Sequence, residues 1–144
     1  MQEKKYKIGY TTGVFDMFHI GHLNILKRAK EQCEYLIVGV STDDLVREYK
    51  HKTPIIPFDE RCEIVKAIRY VDKVVSQTTM DKLVALKELD FDVMFHGSDW
   101  KGTSLYADYE KTFAEKGVDL VFLPHTEGTS STELAKKLQR DENA

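Results

Sequence analysis

Two histidines three residues apart carry the most suggestive chemistry in this chain. In the stretch GVFDMFHIGHLNILKRAK, residues 13–30, His19 and His22 stand with Gly21 between them, just where an amphipathic helix begins. The first turn of a helix offers unpaired backbone N–H groups and partial positive charge, a setting that suits phosphate oxygens. Gly21 lets that backbone approach a ligand closely. At i and i+3 the two imidazoles share nearly one face of the turn. There, both could donate to phosphate oxygens and stabilise charge as a pentacoordinate centre forms. The plainer alternative is a pair of helix-start histidines satisfied by backbone. A zinc site lacks a third ligand at plausible spacing.

Other phosphate signatures are missing. No G-x-G-x-x-G follows the first strand and no G-x-x-x-x-G-K-[ST] occurs, which argues against a dinucleotide-binding dehydrogenase and a P-loop NTPase. Lys50 and Lys52, in EYKHK (48–52), sit in a loop flanked by Pro54 and Pro57 and read either as a solvated charged run or as phosphate contacts.

The elements that must position these residues alternate strictly. Strands are expected at 6–11 (YKIGYT), 35–40 (YLIVGV), 73–75, 92–95 (DVMF) and 119–123 (DLVFL). Helices are expected at 23–30, from a cap at Ser41 or Thr42 through 49, and at 58–70, 80–88, 105–116 and 131–139. Such alternation predicts an α/β fold with a parallel sheet and helices on both faces, whose ligands bind beyond the carboxyl ends of the strands. Four polar, glycine-bearing segments follow those ends: 13–22, 41–44, 96–100 and 124–132. Their convergence points to one composite site.

Composition bounds the rest. The chain has 144 residues, 42% hydrophobic and 31% charged, with a formal net charge of -3. That is the size of one ordinary domain, here read as 1–144, and a charge that argues against generic nucleic-acid binding. No apolar run reaches the roughly 18 residues that span a bilayer. The start, MQEKKYKIGY, is charged and leads into a strand, unlike a signal peptide. Cys33 and Cys62, without a His/Cys cluster, read as reduced thiols of a cytoplasmic protein.

GVFDMFHIGH resembles the G-x-F-D-x-x-H-x-G-H signature of the nucleotidyltransferase superfamily that includes the glycerol-3-phosphate, choline-phosphate and ethanolamine-phosphate cytidylyltransferases. STDD (41–44), RYVDKVV (69–75), HGSDW (96–100) and TEGTSST (126–132) stand in family order and near family spacing. The resemblance runs from about residue 7 to about residue 138. It points to the cytidylyltransferase branch, with the short glycerol-3-phosphate enzymes most similar, chiefly through RYVDKVV and Gly-x-Asp-Trp.

The resemblance implies a three-layer Rossmann-like fold around a mostly five-stranded parallel sheet, with CTP as donor and a small alcohol phosphate, glycerol phosphate first, as acceptor. It also implies Mg²⁺ with the triphosphate and a homodimer. His19 and His22 would hold the triphosphate while the acceptor phosphate attacks the α-phosphorus. Lys50 or Lys52 would reach the phosphates; the loop differs from relatives by about one residue, which leaves open which one. Thr12, Gly13, Phe15 and Gly21 would join His22 at the nucleotide, with Gly97 and Asp99 near the base and Trp100 at the substrate. His125, Thr126, Gly128, Thr129, Ser130, Ser131 and Thr132 would complete the nucleotide site. The last three also read as the cap of a helix. Arg61 would bind substrate phosphate or salt-bridge a neighbouring carboxylate. Asp16 would orient its loop, or bind substrate or the metal-nucleotide, rather than act as a base, because a phosphate monoester is already ionised at neutral pH. One departure stands out: the family commonly has arginine where this chain has His125, so that nucleotide contact is expected to be weaker, altered or pH-dependent. The competing readings are an adenylyltransferase using ATP and a nucleotide-binding module without turnover.

Overall fold

A computed structural model describes residues 4–97 and 104–124. Five strands alternate with helices: β1 (Tyr6–Gly13), α1 (Ile20–Gln32), β2 (Cys33–Ser41), α2 (Asp43–Lys50), α3 (Phe58–Lys66), β3 (Lys73–Gln77), α4 (Lys82–Leu89), β4 (Val93–Gly97), α5 (Ser104–Glu115) and β5 (Asp119–Leu123). The sheet is entirely parallel, in the order β3-β2-β1-β4-β5. Strand order therefore reverses between β1 and β4, the place where an open α/β sheet splays its loops and leaves a crevice.

Two apolar layers hold the sheet. On one face Leu26 and Ala29 of α1 and Val65 of α3 pack against Leu36, Val38, Val40, Val93 and Phe95. On the other, Leu86 of α4 and Phe113 of α5 cover Tyr10, Ile37 and Met94. The continuous apolar run of β2 follows from burial on both sides: six consecutive residues from Leu36 to Ser41 are buried. The parallel-sheet expectation holds, and the three-layer architecture with it.

Boundaries shift where tertiary contacts override local pattern. The helix expected over 58–70 ends at Lys66, with Ala67 as C-cap. Ile68 and Val71 still pack against the core, but through successive turns, Ile68 N–H to Val65 O and Val71 N–H to Ile68 O. Asp72 then accepts from Leu36 N–H (2.8 Å) and pairs with Lys30. RYVDKVV thus serves here to dock β3 on β2. The helix expected from residue 80 starts at Lys82, capped by Asp81 through Leu83 N–H (3.0 Å). Cys33 is buried and Cys62 partly so, and both are free thiols. Among the described residues no helix is long and apolar enough to cross a membrane. The helix expected at 131–139 lies outside the described residues.

Candidate active site

The β1–α1 turn builds the first wall of the crevice. His19 is the N-cap of α1, and its Nδ1 accepts from Gly21 N–H at 3.0 Å. His22 reaches back, its Nδ1 accepting from His19 N–H at 3.1 Å. This is a reciprocal capping box made from two imidazoles in place of the usual hydroxyl and carboxylate. It has a chemical consequence. A nitrogen that accepts a hydrogen bond carries no proton, so each neutral ring must bear its proton on Nε2. The cap fixes the tautomer and turns both rings into Nε2–H donors.

The rings stack on one another, centroids 4.0 Å apart, and His22 also packs on Phe15 and Phe18. Burial, then the neighbouring His19, pushes the His22 pKa down to about 4, with Asp16 opposing. The ring is neutral at pH 7. No acidic residue occupies the first turn of α1, so the positive end of its dipole is left uncompensated by its own side chains. The two alternatives for the histidine pair are therefore compatible: one nitrogen of each ring caps the helix, and the other supplies a donor.

The second part of this wall is the segment after α2. Lys50 ends that helix, and His51 follows in the left-handed region at φ 56°. Lys50 has a pKa lowered first by burial and then by Lys52, with Asp16 opposing, so the three charges share one neighbourhood. Asp16 accepts from Ile55 N–H and Ile56 N–H, each at 2.8 Å.

Arg61 is placed differently from the substrate-contact reading. It is 0% exposed. Its guanidinium donates to Ile56 O (2.9 Å), Val14 O (2.7 Å), Ser41 O (2.8 Å) and Asp43 (2.6 Å). Of the two roles open to it, the geometry matches the salt bridge. The fork fastens β1, β2, α2 and the lysine-bearing loop beneath the crevice.

The opposite wall holds residues that the sequence reading missed. Lys82, the first residue of α4, is 3% exposed, and its Nζ lies 3.4 Å from Thr12 Oγ1 at the end of β1. No salt bridge joins it to a carboxylate among the described residues, and burial pushes its pKa down to about 8. His96, near the end of β4, takes its Nδ1 hydrogen bond from Gly97 N–H (3.0 Å) and packs edge-on against Tyr106. Burial and then Lys82 push its pKa down to about 4. Among the described residues, a Cβ on Gly97 would meet nothing within 4 Å. The carboxyl-end rule, applied also to β3, would have flagged Lys82.

The structure thus brings Thr12, Gly13, Phe15, Asp16, His19, Gly21, His22, Lys50, Lys52 and Gly97 to the carboxyl side of the sheet. Asp99, Trp100, His125, Thr126, Gly128, Thr129, Ser130, Ser131 and Thr132 lie outside the described residues.

Two neutral, half-buried histidines make the fold acid-sensitive. An unfolded histidine titrates near 6.5, so between that value and about 4 the unfolded chain binds more protons at His22 and His96 than the native one. Their contribution is fully present above pH 6.5 and is lost as pH falls toward 4, with a ceiling of about 3 kcal/mol each. Thermal midpoints should drop by several degrees between pH 7 and pH 5. His22→Gln/His96→Gln should show a flatter profile. Parallel profiles for the two proteins would contradict this account.

Comparison with known proteins gives this geometry its family. Residues 10–137 match the model of the family described as cytidylyltransferase-like. The chain is 34% identical over 129 residues to the glycerol-3-phosphate cytidylyltransferase of Staphylococcus aureus, covering 89% of this chain and 92% of the relative. It is 44% identical over 102 residues to the FAD synthase of Thermococcus kodakarensis, covering 69% and 68%. In fold it resembles a lipopolysaccharide core biosynthesis protein from Thermoplasma volcanium, with a TM-score of 0.71 at 24% identity over 86% of this chain and 99% of that one. The chain therefore belongs to the cytidylyltransferase-like family of nucleotidyltransferases.

Proposed function

We propose that the chain transfers a cytidylyl group from CTP to a small alcohol phosphate, glycerol phosphate first, giving a CDP-alcohol and pyrophosphate. The observation that carries this reading is the imidazole capping box: two Nε2–H donors held at the uncompensated positive end of α1. A phosphate monoester oxygen of the acceptor attacks the α-phosphorus, the bond to the β-phosphate oxygen breaks, and pyrophosphate leaves with the electron pair. The nucleophile is already ionised, so no base is needed. Positioning and charge stabilisation carry the catalysis. His19 and His22 donate to the triphosphate oxygens, Lys50 or Lys52 adds a cation from the adjoining loop, and Lys82 offers a charge to a phosphate from the facing wall.

Mg²⁺ belongs to this proposal as an ion bound through the nucleotide. Among the described residues no group of three His, Cys, Asp or Glu could hold a metal. Both Asp16 oxygens accept backbone N–H groups. That donor set suits an ion held mainly by phosphates and water. The ion would neutralise the triphosphate charge. A homodimer and a cytoplasmic setting complete the reading.

A second reading is adenylyl transfer, favoured by the 44% identity to an FAD synthase, whose product is built by joining AMP to a phosphate monoester. Thermal shifts with CTP and ATP separate the two. They should be paired with pyrophosphate release on glycerol phosphate, ethanolamine phosphate and FMN. CTP-specific stabilisation with release only on an alcohol phosphate is expected. Stabilisation by ATP with release on FMN would install the second reading. Binding without release on any acceptor would leave a nucleotide-binding module.

A further inference from the structure

The β1–α1 turn twice adopts a conformation that L-residues avoid. Phe15 (φ 55°) and Met17 (φ 48°) both lie in the left-handed region, and neither is glycine. Asp16 stands between them. The Phe15 ring is buried against Phe18 and His22. The Asp16 carboxylate instead meets the 51–57 loop, 39 and 40 residues further along the chain, each oxygen taking one of two consecutive N–H groups. Strain of this kind persists only where surrounding contacts fix it, and here the contacts include that pair of hydrogen bonds and the packing of Phe15.

Most of the loop's side chains face outward. His51, Lys52, Thr53, Ile55 and Pro57 are exposed, with Ile55 at 57%. Pro54 is buried, and Arg61 grips Ile56 O from beneath. Ile56 is therefore pinned on both sides, its N–H by Asp16 and its C=O by Arg61. Between them these contacts join the lysine-bearing loop to the histidine-bearing turn.

We propose that Asp16 is a positioning residue: its carboxylate ties the loop carrying Lys52, and the helix end carrying Lys50, to the turn carrying His19 and His22, so that both sets of donors meet the same phosphates. This rests on the functional reading above. It also explains how an acid sits beside an anion site, since two N–H groups absorb its charge. Asp16 then touches neither substrate nor metal.

Asp16→Asn is the informative variant. It keeps the shape but turns an NH₂ group toward one of the two N–H donors. Amide hydrogen exchange reads the tie without turnover. Ile55 and Ile56 should exchange faster in Asp16→Asn while strand amides keep their protection; unchanged exchange at both would overturn the proposal. A double-mutant cycle reads the function. In the otherwise wild-type protein Asp16→Asn should lower kcat/KM for the nucleotide about 10- to 100-fold. In a Lys50→Ala/Lys52→Ala background it should cost less than about threefold. Equal losses in both backgrounds, or an altered Mg²⁺ requirement that persists without the lysines, would make Asp16 a ligand and overturn the proposal, leaving the cytidylyl-transfer reading intact. Full activity of the double lysine variant would overturn it from the other side. Absence of turnover in the wild-type protein would strike the functional reading, and the exchange result would still decide whether the tie exists.

Discussion

Replacing either His19 or His22 by alanine should lower turnover by roughly 10²–10³-fold, the scale of removing one transition-state donor. Alanine confounds two roles, because each ring also caps α1 through Nδ1. Asparagine and glutamine separate them. Asparagine places its amide oxygen near the position of Nδ1, so His19→Asn keeps the cap and loses the Nε2–H donor. Glutamine places its NH₂ nearer Nε2 and loses the cap. His19→Asn should therefore match the alanine variant in turnover while melting close to wild type. His19→Gln should lose about 1 kcal/mol of stability, the usual worth of an N-cap, yet retain more activity than alanine. Steady-state turnover with thermal melting checks both. Wild-type turnover in all these variants would remove the histidines from the mechanism.

What made this pair legible is its locality. A cap involves residues within one turn of each other, so His-x-Gly-His before an apolar repeat already implies its geometry. The strand β2 was legible for a similar reason: burial on both faces leaves an unbroken apolar run in the sequence. The end of α3 was not. Ile68 and Val71 keep core-facing spacing after the helix has stopped, because the chain turns there to set Asp72 under Leu36 N–H. Apolar periodicity reports which side faces the core, but not whether the path between core contacts is a helix or a series of turns.

Burial of charge was the part that sequence could not supply. Lys82 looks like an ordinary helix-start lysine until β1 and β4 are brought beside it. Arg61 looked equally suited to a phosphate or to a carboxylate. Its partners Val14, Ser41 and Ile56 contribute backbone carbonyls, which leave no trace in residue type. Only their arrival from separate elements decides its role.

Arg61 therefore carries the largest expected effect on stability. Removing the guanidinium leaves three carbonyls without that donor and Asp43 without its ion-pair partner. Breaking a buried, hydrogen-bonded ion pair from one side costs about 3–5 kcal/mol. Arg61→Met, which nearly keeps the side-chain length, should destabilise on that scale. A midpoint drop of about 10 °C or more is expected for a domain of this size. Lysine should fail to rescue it, because one ammonium cannot follow the fork that reaches four acceptors in different directions. Asp43→Asn should cost much less, since the Asp43 side chain is 29% exposed and its partner keeps three carbonyl acceptors. The pattern distinguishes a structural fastener from a substrate contact. If Arg61 bound the acceptor, Arg61→Lys would melt like wild type and raise the acceptor KM selectively. With the guanidinium buried beneath the crevice, stability falls first, and nucleotide and acceptor kinetics worsen together as the histidine turn and the lysine loop lose their shared support.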